Sequence, residues 1–432
     1  MSVASLRHAG TREPTSPDRV HDLVAGGLLA VLAIGLGWGC VSQLMADGLV
    51  DASPAAVLHW RPNDPDALAA EADARLRAAR TSADIEQAAG LARRALVEAP
   101  LAAAPLRILG FSAQRQGRPR EAQALMAAAG ARSHRDLLTQ AWLFDDALSR
   151  DDYPAAFDRA DAMLRLDDGM DTTLYPLIID AASDPRAVPP LVWRLAAKPL
   201  WRPDFLRALA AGGDPDLTLR VLGQLKQTSA PPTDEEAGFL VGRLIHDGAY
   251  ARAYQAWASL LPAKAPLRPG GLYDGDFAPA PGATPFNWRL NPNSRVVAER
   301  SSPPSGPPTG LYVRFTPTIT DELASETLLL APGAYRLTGQ VMFETPAEAG
   351  QFRLALLCAD GTGQPMLDAG LGGDPGAWRA ISLPFDVAPS GCAAQRLQIV
   401  GRAGDSFDPV GAWFTGLAVQ PSRNGAQQRA GR

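Results

Sequence analysis

Between Leu23 and Val41 the chain reads LVAGGLLAVLAIGLGWGCV, without one charged residue. At about 1.5 Å per residue a helix over this run extends roughly 28 Å, close to the hydrocarbon thickness of a bilayer. No other uncharged stretch of this length occurs in the chain, which favours a membrane span over a buried core helix. A cleaved signal peptide is the competing reading. Against it, a long tail precedes the run and the run exceeds a signal core. Leu44-Met45-Ala46 is a mediocre cleavage site, and Trp38-Gly39-Cys40 puts Trp where a lipoprotein signal needs a small residue. The expectation is an uncleaved transmembrane helix over 23–45 behind a cytoplasmic tail, 1–22.

Orientation follows from charge. Arg7, Arg12 and Arg19 precede the run, and Asp47 and Asp51 follow it. Basic residues stay on the cytoplasmic side, so everything after the helix is expected outside, in the periplasm of a bacterium, with the inner membrane as anchor. Gly35 and Gly39 form a small-xxx-small pair through which two such helices could pack into a homo-oligomer.

The formal net charge is −5. Nucleic acid is therefore not an expected partner, because phosphate binding needs a basic surface. Basic charge is nearly all arginine, with lysine only at 198, 226 and 264, as in chains from GC-rich bacterial genomes. Cys40 lies in the apolar run. Cys358 and Cys392 lie in the last third, where an oxidising compartment allows them to pair. A disulfide there is expected; two buried free thiols are the alternative.

From Asp64 to Pro262 alanine and leucine recur at helical spacing, with Gly or Pro punctuating. A self-comparison shifted by 34 residues aligns Ala79, Ala113 and Ala147; Ala88, Ala122 and Ala156; and Ala95, Ala129 and Met163. In this register Leu109-Gly110, Gly117, Ala122 and Ala129 resemble the tetratricopeptide repeat: a small residue where two helices cross, a turn glycine, and small residues in the second helix. Pro100, Leu143 and Tyr153 add to the likeness. The usual early tryptophan is missing and Phe144 stands where the crossing glycine belongs. A later unit reads Leu240, Leu244, Gly248, Tyr250, Ala253 and Trp257, and a weaker one runs from Phe205 to Leu225. The resemblance implies an all-α solenoid over 64–262, reached through a linker, 46–63, and a concave surface for an envelope protein partner. A helical spacer or an irregular bundle is the alternative.

After a Pro/Gly linker, 263–271, the period changes to two. Tyr335, Leu337, Gly339, Val341 and Phe343 share one strand face; Phe352, Leu354, Leu356 and Cys358 share another. Trp378–Val387, Gln395–Val400 and Ala412–Gln420 read as further strands. Many short strands over 272–421 predict an all-β sandwich, followed by a polar tail, 422–432. Asp274-Gly275-Asp276-Phe277, Phe286-Asn287-Trp288, Pro332-Gly333-Ala334-Tyr335, Trp378 and Trp413-Phe414 resemble the jelly-roll, galactose-binding-like fold of carbohydrate-binding modules. Such modules commonly hold calcium through an acidic residue after the opening Phe and another in the final strand. Here those places read Ala278 and Thr415, so loss of that site is expected, and no cofactor.

Polysaccharide contact, if the resemblance extends to function, falls to exposed aromatics. By strand parity Trp288 and Trp413 are expected in the core. Trp378 opposes Ile381, Leu383 and Phe385 and is the expected exposed ring, with Tyr273 and Tyr312 as weaker candidates.

The five histidines, His8, His21, His59, His134 and His246, show no metal-ligand spacing, and none lies in the β region. No nucleophile elbow, phosphate loop or cysteine zinc pattern is present. Asp360, Asp368 and Asp374 read as solvated turn residues. The whole reads as a non-catalytic scaffold or assembly protein of the envelope, in the context of exopolysaccharide or envelope biogenesis. A pure protein–protein adaptor and a glycan-active enzyme are the alternatives.

Overall fold

The computed structural model describes residues 53–422, apart from 264–270 and the single positions 279, 281, 305, 307 and 406. The apolar run at 23–41, Gly35 and Gly39, most of the linker at 263–271 and nearly all of the tail at 422–432 lie outside the described residues. Among those described, no helix is long and apolar enough to cross a membrane. The chain divides into two compact units at Asp151/Asp152.

In the first unit α1 (Pro54–Trp60) lies inside the stretch expected as linker. The proline that opens it has the fixed φ and missing N–H that a first helical turn tolerates. Then follow α2 (Pro65–Ala78), α3 (Ser82–Glu98), α4 (Ala103–Arg115), α5 (Pro119–Arg132) and α6 (Leu137–Ser149). Asp64 caps α2 by accepting from Ala67 N, and Thr81 with Asp84 forms a capping box on α3. Neighbouring helices pack in hairpins, and α2 also packs on α4. The Arg107 guanidinium bonds Asp73, 34 residues earlier.

At the hairpin of α4 and α5 the two helices approach over a glycine. A Cβ on Gly110 would come within 3.0 Å of Met126 Cγ. Gly117 turns the chain at φ 72°, and Asp151, 34 positions on, adopts φ 56°. Only glycine enters this left-handed region without cost. Ala79, Ala113 and Ala147 are all buried, as are Ala88, Ala122 and Ala156, and Ala95, Ala129 and Met163. Phe144 is buried where the pattern has glycine.

The second unit begins with α7 (Tyr153–Leu164), α8 (Asp171–Ala181), α9 (Val188–Ala196), α10 (Arg202–Gly212), α11 (Pro215–Leu225), α12 (Asp234–His246) and α13 (Tyr250–Leu260). Alternate helices pack on each other: α7 on α9 on α11 on α13, and α8 on α10 on α12. The result is two helical layers. Helices α8 and α9 lie where the 34-residue columns are silent. Larger apolar residues such as Leu174, Leu191 and Leu195 are buried there instead of alanine.

The same unit carries the sandwich. One sheet has the order β1 (Arg289–Leu290), β4 (Asp321–Leu328), β9 (Gln395–Gly401), β6 (Ala347–Cys358), β7 (Leu367–Gly373). The other has β2 (Val296–Ser301), β3 (Gly310–Phe315), β10 (Val410–Pro421), β5 (Gly333–Phe343), β8 (Arg379–Val387). Every pairing between these strands is antiparallel. Leu337, Val341 and Phe343 from β5 meet Phe352, Leu354 and Leu356 from β6 in one core, with Trp288 among them. The face assignments of β5 and β6 thus hold, and so does a buried Trp288. Cys358 and Cys392 are joined in a disulfide.

The helical stack joins the sandwich through rings. Trp257 of α13 packs edge-on against Tyr273 at 4.9 Å between centroids and lies 5.7 Å from Phe286, which also meets Tyr254 at 5.3 Å. The Gly282 N–H donates to Asp234 Oδ1, at the start of α12, over 3.0 Å.

Candidate functional site

Strand alternation leaves the outer face of the β2-β3-β10-β5-β8 sheet with an aromatic row in a polar field. Tyr312 on β3 lies opposite Trp413 on β10, and Trp413 opposite Met342 on β5. The rings of Tyr312 and Trp413 are 4.7 Å apart at 34°. Trp378, just ahead of β8, packs half-buried against this cluster. Exposed Glu299, Arg314, Gln340 and Glu344 surround it.

Polar geometry sharpens the site. Tyr312 donates its hydroxyl to Glu344 Oε2 at 2.7 Å. Burial, reinforced by that carboxylate, pushes the Tyr312 phenol well above its ordinary range, so it stays a donor. Glu344 reaches over Gly411, in the space that a side chain there would take. The indole N–H of Trp413 is buried with no acceptor, a state that buried donors rarely keep.

The three aromatic candidates are thus divided. Trp378 and Tyr312 come together on one face. Tyr273 does not join them; it is buried against Trp257 at the junction with the helices. Trp378 stands just outside its expected strand and is half-buried, not free, because Met342 and Trp413 offer it a surface.

Trp413 was expected inward, with Leu417, and it faces outward. A bulge between Thr415 and Ala418 shifts the register of β10 on β5, with Gly416 at φ 60°. Parity counted across a bulge inverts, so Leu417 enters the core while Trp413 leaves it. The glycine inside the strand was the available signal. Met342 and Glu344 carried no signal of their own.

A second polar cluster, unforeseen in the sequence, sits inside the sandwich edge. Glu326 of β4 shares inward parity with Ala324 and Leu328 and is fully buried. Its Oε1 accepts from Tyr273 N at 2.8 Å, while Oε2 has no partner. Arg300 of β2 pairs with Asp274 at 3.1 Å. Burial, then the nearby Asp274 charge, raises the Glu326 carboxyl well above the carboxylate range despite the Tyr273 N–H. Ala278 is exposed, and Thr415 donates to the Thr309 carbonyl at 2.9 Å. No cluster of three potential metal-ligating side chains occurs among the described residues.

No protein-family model and no curated protein matches the chain. Solved structures similar to part of it include a xylan-binding domain from Paenibacillus barcinonensis, 10% identical over 31% of this chain and 85% of that one, TM-score 0.25. The C-terminal family 22 carbohydrate-binding module of a Clostridium thermocellum protein is 14% identical over 37% and 98%, TM-score 0.26. The module TmCBM61, in complex with β-1,4-galactotriose, is 17% identical over 37% and 100%, TM-score 0.23. Scores this low carry no argument; the sandwich rests on its own strand pairing.

Proposed function

We propose that the protein is a membrane-anchored, non-catalytic scaffold of the bacterial envelope. Its tetratricopeptide-like helices recruit a protein partner, and its sandwich touches a polysaccharide. The observation that carries the glycan contact is the half-buried Trp378 ring packed against buried Tyr312 and Trp413, with exposed Glu344 and Gln340 beside it. Aromatic rings stack on the apolar faces of sugars, and neighbouring carboxylate and amide groups take the hydroxyls. The Trp413 N–H, buried without an acceptor, is a donor left for a sugar oxygen.

The periplasmic location rests on the apolar run at 23–41 and its flanking charges. It agrees with a Cys358–Cys392 disulfide, which oxidising compartments maintain. A glycan array probed with the full-length protein in detergent tests the function. Retention of a polysaccharide by wild type and its loss in Trp378→Ala is the expected result. Binding of no glycan, or equal binding by the variant, removes the sugar contact from the proposal and leaves the protein as an adaptor.

A further inference from the structure

Between α8 and α10 the helical stack opens into a cleft of about 850 Å³. It exists because α10 presents Ala208, Ala211 and Gly212 to α8; a Cβ on Gly212 would meet nothing within 4 Å. The floor is apolar, built from Tyr175, Pro176, Ile179 and Leu217. The rim is acidic: Asp171 and Asp180 from α8, Asp204 and Asp214 from α10 and the start of α11. A second hollow of about 440 Å³ continues it past Asp171, Tyr175 and Asp204 toward Leu200. Leu200 is 97% exposed, an apolar side chain with no packing of its own.

The nearby cations are already engaged. Arg207 pairs with Asp204 at 2.6 Å and lies over the Phe239 ring at 4.9 Å. Arg165 pairs with Asp161 at 2.9 Å. Asp171, Asp180 and Asp214 form no ion pair among the described residues. The field of this rim is felt at its centre: burial first, then Asp204 and Asp171, push the Tyr175 phenol up to about 12.

We infer that this groove docks an extended, cationic segment of a partner protein, with lysine or arginine on the aspartate rim and alternating apolar side chains on the floor and against Leu200. Charge complementarity selects that occupant, since an anionic segment would meet three unpaired carboxylates. The inference rests on reading the helical region as a partner-recruiting module and is independent of any sugar contact.

The probe is a fluorescent Lys-Leu-Arg-Leu-Lys peptide, with Glu-Leu-Glu-Leu-Glu as its charge-inverted twin, titrated by anisotropy against the full-length protein in detergent. The cationic peptide is expected to bind about tenfold or more tightly than the twin, and Asp171→Asn/Asp180→Asn to lose about tenfold. Ala211→Leu, which fills the floor and keeps every charge, is expected to lose binding with an unchanged circular-dichroism melt. Cationic binding unaffected by both variants reports attraction to the net negative chain and overturns the groove. Preferred binding of the anionic twin, abolished by Ala211→Leu, overturns the charge assignment while leaving partner recruitment standing. Absence of binding by either peptide overturns the groove as a docking site.

Discussion

Arg202 and Glu236 stand 34 residues apart and meet inside the helical stack as a two-pronged ion pair, at 2.8 Å from Nε to Oε1 and 2.7 Å from Nη2 to Oε2. The remaining Arg202 N–H groups reach the carbonyls of Leu195, Ala230 and Pro231. Glu236 also closes a capping box with Thr233. Both side chains are almost fully buried, so the pair ties α10 to α12 with every polar atom satisfied.

Removing one partner strands the other charge in the interior. Glu236→Ala is expected to destabilise the helical region by about 3–5 kcal/mol. Arg202→Met/Glu236→Leu leaves no orphan and is expected to cost far less than the sum of the single substitutions. Urea unfolding of the four species forms a double-mutant cycle, and additive costs would refute the pairing.

The disulfide closes the segment between the end of β6 and the approach to β9, with Cα atoms 5.4 Å apart. A loop of about 35 residues is worth roughly 3–4 kcal/mol in the chain-entropy model. Cys392→Ser is expected to lower the sandwich's free energy of unfolding by that amount. A reductant should lower wild type to the same level and leave the variant untouched.

Glu326 gives the sandwich an unusual pH response. Its folded pKa is raised above the unfolded value, so the folded state holds the proton more tightly. That stabilisation is complete below the ordinary glutamate range near 4.5 and is lost as pH rises through the folded pKa. Thermal melts of wild type are expected to lose stability over that window, and Glu326→Gln to flatten the loss. Identical pH profiles for the two would show that the carboxyl is not buried as described.

Trp257 joins two kinds of structure with one ring. Trp257→Ala should cost about 3–5 kcal/mol as a buried aromatic truncation. Its specific signature is calorimetric: the transition of the last helices should separate from that of the sandwich, whereas the two overlap in wild type. A variant that melts in one transition would contradict the coupling role of the ring.

Helical pairing was legible where small residues recur at the crossing of two helices. Gly110 against Met126, and the buried alanine columns, follow directly from that constraint. Helices α8 and α9 were not, because they bury Leu174, Tyr175, Leu191 and Leu195, which carry no 34-residue signature. In the sandwich β5 and β6 were legible through strict alternation. β1, β2, β3, β4 and β7 were missed; β4 buries both faces and sets polar Ser325, Glu326 and Thr327 among the buried residues, so no apolar face alternates with a polar one. Of the site, Trp378 and Tyr312 could be named one by one. Their grouping could not, because neighbours across a sheet are set by register, which no local pattern contains.

Periodicity, punctuation and the spacing of small residues alone determined that helices come first and strands afterwards, with turns between them. These are local properties: a side chain's direction repeats every 3.6 or every 2 residues whatever the rest of the chain does. Tertiary structure alone decided that Trp413 faces out while Leu417 faces in, that Tyr273 belongs to Trp257, that burial raises the Glu326 carboxyl, and that a leucine-flanked acidic cleft opens between α8 and α10. Each depends on which distant segments share a dielectric and a surface, and that follows only once the whole chain has packed.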